Sequence, residues 1–221
     1  MMKTKFLLLV GLLVLGISCK KDKPSLYPTS GLISYFNFDD NLKDQKGYTS
    51  DGVKTGTPPY IAGVIGKAVS FNGIDQKIVF SPKMPKANSK ITVSFWFKKD
   101  ATNFSSVFIS TNGFSCTSPS SQSKLYFNIF SGGVATGVSL TTDKWNHVVG
   151  TYDGNTIKIY VNGILGLTKV DVYNLTAFNT DLVLGYHFFM GDNYWAGSID
   201  ELYIYNRALS PAEVTQLYTL K

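Results

Sequence analysis

The stretch Trp145 to Gly163, WNHVVGTYDGNTIKIYVNG, constrains this chain more than any other. Trp145–Tyr152 and Thr156–Val161 are rich in Val, Ile, Tyr and Thr, with Asp153-Gly154 between them and Asn162-Gly163 after them. Asp-Gly and Asn-Gly suit turns with positive φ, whose twist matches antiparallel strands, so the stretch predicts a β-hairpin. Within the second strand Ile157, Ile159 and Val161 alternate with Lys158 and Tyr160. That period of two belongs to a sheet with one buried face.

The rest of the chain repeats the theme. Strands are expected at Leu32–Phe38, Ala68–Phe71, Lys77–Phe80, Ile91–Lys98, Ser106–Ser110, Lys124–Phe130, Gly137–Leu140, Ile164–Lys169, Asp181–Leu184 and Ile199–Tyr205, with turn residues between them. Many short strands at near-regular spacing predict an all-β, two-sheet antiparallel jelly-roll sandwich. The CTSPSSQSK stretch reads as a polar surface loop. One helix is expected, Pro211–Tyr218, with Ser210 as N-cap, Pro211 in its first position and Glu213 completing a capping box.

The N-terminus is of a different kind. Lys3 and Lys5 precede an apolar run of 12 residues, Phe6–Ile17. A membrane-spanning helix needs about 20 residues, so residues 1–18 read as an export signal. Gly16-Ile17-Ser18-Cys19 resembles the lipobox of bacterial lipoproteins, with Gly16 where that motif usually has Leu. The resemblance makes Cys19 the lipidated first residue of the mature protein and implies a membrane anchor, at the outer membrane or cell surface of a Gram-negative bacterium. Residues 19–30 are charged and Pro-containing, the composition of a flexible tether. Residues 31–221, about 190 in number, then suffice for one β domain with a full core.

Net charge is +6, or +4 once Lys3 and Lys5 leave with the signal, and Arg207 is the one arginine. No basic stripe interleaved with aromatics is present, which gives nucleic-acid binding no support. With Cys19 assigned to lipid, Cys116 has no partner for an intrachain disulfide.

Four stretches in order carry a family likeness: YFNFD with LKD (35–44), GKAVSFNG (66–73), TVSFWF (92–97) with KWNHVV through YVNG (144–163), and WAGSIDEL with YNRALS (195–210). Leu32–Leu220 thus resembles the laminin-G-like, concanavalin A-like jelly-roll domains of secreted bacterial proteins. That fold hosts lectins, adhesion modules, glycosidases and spacers, so the likeness implies fold more than activity. Glycosidases of the fold place three acids at alternating positions on one strand; no E-x-D-x-x-E run occurs here. Asp200 and Glu201 are neighbours, expected on opposite faces. No Gly-x-Ser-x-Gly elbow accompanies the two histidines. The expectation is therefore a protein that is not an enzyme.

By strand parity Asp200 shares a face with Leu202 and Ile204, and an inward carboxylate needs a partner. One reading is a structural Ca²⁺ held by Asp200 with Asp39 or Asp44, as domains of this kind often carry; the other is that Asp200 caps backbone amides or pairs with Arg207. For a ligand, Tyr186–Tyr194 gathers aromatic rings around Asp192 and Asn193, so His187, Phe189, Asp192, Asn193 and Tyr194 are candidate sugar contacts. Trp96 lies opposite the apolar face of its strand, and Tyr126 and Asn128 show similar parity, a second candidate surface. The sequence reading is a lipid-anchored, non-catalytic module binding carbohydrate or a surface protein. A protein-interaction module without glycan affinity is the alternative, and a glycosidase a remote third.

Overall fold

The computed structural model describes residues 25–81, 90–100, 107–110, 113–117, 124–129, 133–134, 140–172, 181–187 and 193–221. In chain order the strands are β1 (Leu32–Phe36), β2 (Val53–Thr55), β3 (Tyr60–Ala62), β4 (Lys67–Asn72), β5 (Lys77–Phe80), β6 (Ile91–Lys99), β7 (Val107–Ser110), β8 (Phe114–Thr117) and β9 (Tyr126–Ile129). They continue as β10 (Gly133–Val134), β11 (Asn146–Tyr152), β12 (Thr156–Val161), β13 (Ile164–Val170), β14 (Leu182–Leu184), β15 (Tyr186–His187), β16 (Asn193–Tyr194) and β17 (Ala196–Tyr205), and α1 (Pro211–Tyr218) follows.

The organising hairpin forms as its residues require. Asp153 turns the chain by accepting the amides of Asn155 and Thr156 on its carboxylate, at 2.9 and 2.7 Å. Asn162 and Gly163, at φ 51° and 78°, close the next turn into β13. Around this ribbon an antiparallel eight-stranded sheet runs β13-β12-β11-β6-β17-β4-β3, with β1 also on β17. A second, seven-stranded sheet runs β10-β9-β8-β7-β14-β5-β2. Ile157, Ile159 and Val161 join Ile91, Val93, Phe95 and Phe97 of β6 and Phe114, Phe127 and Leu184 of the second sheet in the core between them. Gly150 permits that approach: a Cβ there would stand 2.4 Å from the Phe127 ring.

A smaller core lies on the other side of the first sheet. Val149, Tyr160, Tyr203 and Tyr205 meet Val214 and Leu217 of α1 there. Ser210 and Glu213 cap the helix reciprocally, and Arg207 pairs with Glu213. Each buried aliphatic side chain in that seam stabilises the fold by roughly 1.5–3 kcal/mol before the entropy of ordering it.

The structure changes several expectations. Phe114–Thr117 is a strand with Cys116 wholly buried in the main core, where a surface loop was expected to begin. Strands β2 and β3 were not foreseen; they are short and their residues mostly exposed, so they lack an alternating pattern. Residues 25–30, expected as tether, are held to the domain. Gln216 donates to the Ser25 and Leu26 carbonyls, Arg207 donates to the Ser30 carbonyl, and the Tyr27 ring sits 5.3 Å from those of Tyr35 and Tyr203. Residues 1–24, Cys19 among them, lie outside the described residues.

Candidate functional site

Hydrogen bonding bears on the two aspartate readings. Asp44 accepts the amides of Tyr35, Lys46, Tyr48 and Thr49 and the Thr49 hydroxyl, at 2.8–3.0 Å. Asp39 accepts the Lys67 amide at 2.7 Å and the Asn37 side-chain amide at 2.9 Å. Asp200 accepts the amides of Val64 and Ile65 on one oxygen, at 2.7 and 3.1 Å, and that of Glu201 on the other at 2.9 Å. Arg207 is occupied by Glu213, so the amide-capping form of the alternative holds. Calcium needs six to eight oxygens converging on one point. These carboxylates instead face backbone N–H groups, and among the described residues no three His, Cys, Asp or Glu side chains are grouped to hold a metal ion. The set does not fit the ion.

Parity fails at Asp200 for a specific reason. β17 carries a bulge against β6 between Asp200 and Tyr203, and Glu201 there has φ 51°. The extra residue shifts the alternation, as bulges do. Ile199, Leu202 and Ile204 all enter the main core, while Asp200 stands opposite Trp96 on the α1 side of the sheet. Glu201 reaches the same side, accepting the hydroxyls of Tyr35 and Tyr203. The two carboxylates therefore share a face instead of lying on opposite ones. Burial pushes the Asp200 carboxyl up to about 7, against the pull of the Ile65 and Val64 amides, and the Glu201 charge adds to the rise. Burial likewise raises Glu201, whose tyrosine partners pull it back.

The candidate ligand residues are dispersed. Trp96 is 4 % exposed and lies under α1, its ring 5.7 Å from Tyr218 and 5.0 Å from His147. It lines no open surface. Tyr126 and Asn128 are half-buried on the outer face of the second sheet, where Asn128 donates to Ser115 and Thr117. The expected common surface with Trp96 does not exist, because the two strands belong to different sheets. His187 and Asn193 pair as the ends of a small two-stranded ribbon, and Tyr194 faces Tyr186 at 4.9 Å across it. Phe189 and Asp192 lie outside the described residues.

What the fold does assemble is a cleft of about 200 Å³ where β6 ends, β17 begins and β4 passes. Ser70, Ser198 and Phe71 line its sheet side, and Lys98, Lys99, Asp100 and Asp143 line its rim. Gly197, at φ 145°, also lines it and has no room for a side chain: a Cβ would stand 2.4 Å from both the Lys98 carbonyl and the Trp195 ring. Ser198 donates to the Ser70 hydroxyl at 3.1 Å, and the Asp143 amide donates to the Lys99 carbonyl at 3.0 Å, which ties the rim to the end of β6. Lys99 is 7 % exposed, and burial lowers its pKa. Half-buried Trp145 does not line the cleft itself; its ring centroid lies 5.5 Å from the ammonium of Lys98, which does.

This set was missed in the sequence because its members come from four segments. The available signal was the pair Lys98-Lys99-Asp100 and Asp143-Lys144-Trp145, two charged clusters at strand ends that antiparallel pairing of β6 with β11 brings together. Chemically the cleft offers ammonium and hydroxyl donors and carboxylate and hydroxyl acceptors, with an indole next to one of its lysines. Its volume falls below the about 300–1,000 Å³ of enclosed drug-sized sites, so it suits one small polar ring.

A family model described as the concanavalin A-like lectin/glucanases superfamily matches residues 72–215. No curated protein matches the chain. Among solved structures, domain 4 of an extracellular GH43 arabinanase from Geobacillus stearothermophilus, in complex with arabinotriose, is 25% identical with a TM-score of 0.65, covering 85% of this chain and 98% of that one. The receptor binding domain of botulinum neurotoxin type G is 15% identical with a TM-score of 0.70, over 86% and 51%. The binding domain of botulinum neurotoxin DC, in complex with rat synaptotagmin II, is 18% identical with a TM-score of 0.65, over 85% and 51%. The chain thus spans about half the length of the neurotoxin domains, and their likeness is one of fold.

Proposed function

Because this chain belongs to the concanavalin A-like lectin/glucanase superfamily, we propose that it is a non-catalytic carbohydrate-binding module, hung from a membrane by a lipid on Cys19. The cleft between Ser70, Ser198, Lys98 and Asp143, with the Trp145 ring against Lys98, is the observation that carries this reading. Sugar hydroxyls both donate and accept, and the cleft presents both complements within one ring's reach. The C–H face of a ring would lie on the indole. The arabinanase domain, crystallised with arabinotriose, makes short pentose oligomers a natural first ligand.

The anchor follows from the sequence of residues 1–19. Ser25 follows Cys19 by six chain steps, a reach of about 20 Å, so the α1 side, where Ser25 is held, would face the membrane.

The test is a glycan array followed by calorimetric titration of the strongest ligand, arabinotriose included. Trp145→Ala and Lys98→Ala should each weaken binding at least about tenfold while leaving the melting temperature within a few degrees. An array without signal, or affinity indifferent to both substitutions, overturns the reading. Incorporation of labelled palmitate, abolished in Cys19→Ser, tests the anchor separately.

A further inference from the structure

Among the described residues nine large hydrophobic side chains are exposed, and five of them fall between Ile164 and Val172: Ile164, Leu165, Leu167, Val170 and Val172, at 39–73%. All lie on or just after β13, the outermost strand of the eight-stranded sheet. One edge of β13 pairs with β12; among the described residues the other pairs with no strand. Such an edge presents unpaired N–H and C=O groups, and natural sheets usually blunt it with charge, proline or a bulge. Here Gly166 forms a bulge early in the strand, where Leu165 and Leu167 oppose consecutive residues of β12. From Leu167 onward the edge is regular. Its one lysine, Lys169, is neutralised by Asp171 at 2.6 Å.

We propose that the chain self-associates by antiparallel pairing of β13 with β13 of a second copy, continuing the eight-stranded sheet across a twofold axis at Val170. An isologous contact must be self-complementary, and a twofold axis through an antiparallel pair keeps opposed residues on one face. Few registers are then open. Centring on Lys169 sets two lysines against each other. Centring on Thr168 sets Lys169 against Leu167 and Asp171 against Leu165, leaving charges against apolar neighbours. Centring on Val170 sets Lys169 against Asp171 of the second copy twice, Val170 against Val170, and Thr168 against Val172. Charge complementarity therefore selects both the occupant and the register. The proposal is independent of the carbohydrate reading.

Sedimentation velocity on the full chain in mild detergent should show a concentration-dependent dimer. Asp171→Lys, which opposes like charges, should weaken it about tenfold or more, and the double swap Lys169→Asp with Asp171→Lys should restore it. In a Cys19→Ser background Val170→Cys should form an intermolecular disulfide, since directly opposed Cα atoms lie about 4.5–5.5 Å apart, within disulfide reach. A chain monomeric at every concentration, a dimer indifferent to Asp171→Lys, or cross-linking through Leu167→Cys in place of Val170→Cys overturns the proposal.

Discussion

The Ser94 hydroxyl and His147 Nε2 stand 2.9 Å apart beneath α1, on side chains that are both buried. His147 Nδ1 has no hydrogen-bond partner among the described residues. Burial, with a smaller contribution from the Lys221 charge, holds the imidazole down to about 3 against its ordinary 6.5. The unfolded chain therefore binds a proton between pH 6.5 and 3 that the folded chain does not. Stability from this group is full above pH 6.5 and falls by about 1.4 kcal/mol for each unit below it, until about pH 3. Asp200 acts oppositely: with its carboxyl raised to about 7, its contribution is full below the ordinary carboxylate range and is lost as pH rises through 7. Urea titrations at pH 7.5, 6 and 5 should show His147→Gln gaining stability on acidification relative to the parent. Parallel profiles for the two proteins would contradict the assignment.

Asp200 itself serves the turn between β3 and β4, where Val64 and Ile65 donate to one of its oxygens. Asp200→Ala leaves both amides without that acceptor and should cost about 2–3 kcal/mol in urea unfolding. Asp200→Asn keeps an acceptor oxygen and removes a desolvated charge, so its cost should stay under about 1 kcal/mol. Because the oxygens of Asp39, Asp44 and Asp200 are engaged by N–H groups, melting temperatures in calcium and in chelator should agree. A rise of several degrees with calcium would show that those carboxylates can turn to a metal.

Local signals were the legible ones. The hairpin of β11 and β12, its two turns, and the capping box of α1 were all readable because each depends on residues a few positions apart. The alternation of Ile91, Val93, Phe95 and Phe97 put the main core in place for the same reason. Two things defeated the reading of the site. One extra residue in β17 moved Asp200 to the other face, and nothing in IDEL announces a bulge. Trp96 looked available because its face carries Thr92 and Ser94, yet α1, more than a hundred residues later in the chain, lies over it. The cleft was invisible because Ser70, Lys98, Asp143 and Ser198 share no local pattern; only the pairing of β4, β6 and β17 and the link from Asp143 to Lys99 unite them.

Cys116 tests the burial of strand β8. It lies wholly buried in β8 opposite Phe127, and burial raises its thiol well above the ordinary range. Thiolate is the reactive form, so the folded chain should leave Cys116 unmodified by a disulfide reagent at pH 8 and react only on unfolding. Cys116→Ser should destabilise by about 1–3 kcal/mol, since its hydroxyl would sit in an apolar core. Prompt labelling of Cys116 in the native protein would place it at the surface.

Trp96 and Trp145 should part company under mutation. Trp96 is buried against Tyr218 and His147, and removing it leaves a large cavity under α1. Trp96→Ala should cost about 3–5 kcal/mol, with α1 loosened first, while any glycan affinity measured on the remaining folded fraction stays unchanged. Trp145 is half-buried and meets the ammonium of Lys98, a residue that lines the cleft. Trp145→Ala should cost no more than about 1 kcal/mol of stability yet weaken sugar binding. Urea unfolding and calorimetric titration on the two variants separate the roles. If Trp96→Ala abolishes binding in protein that remains folded, the ligand sits against Trp96 under α1 and the cleft is not its site.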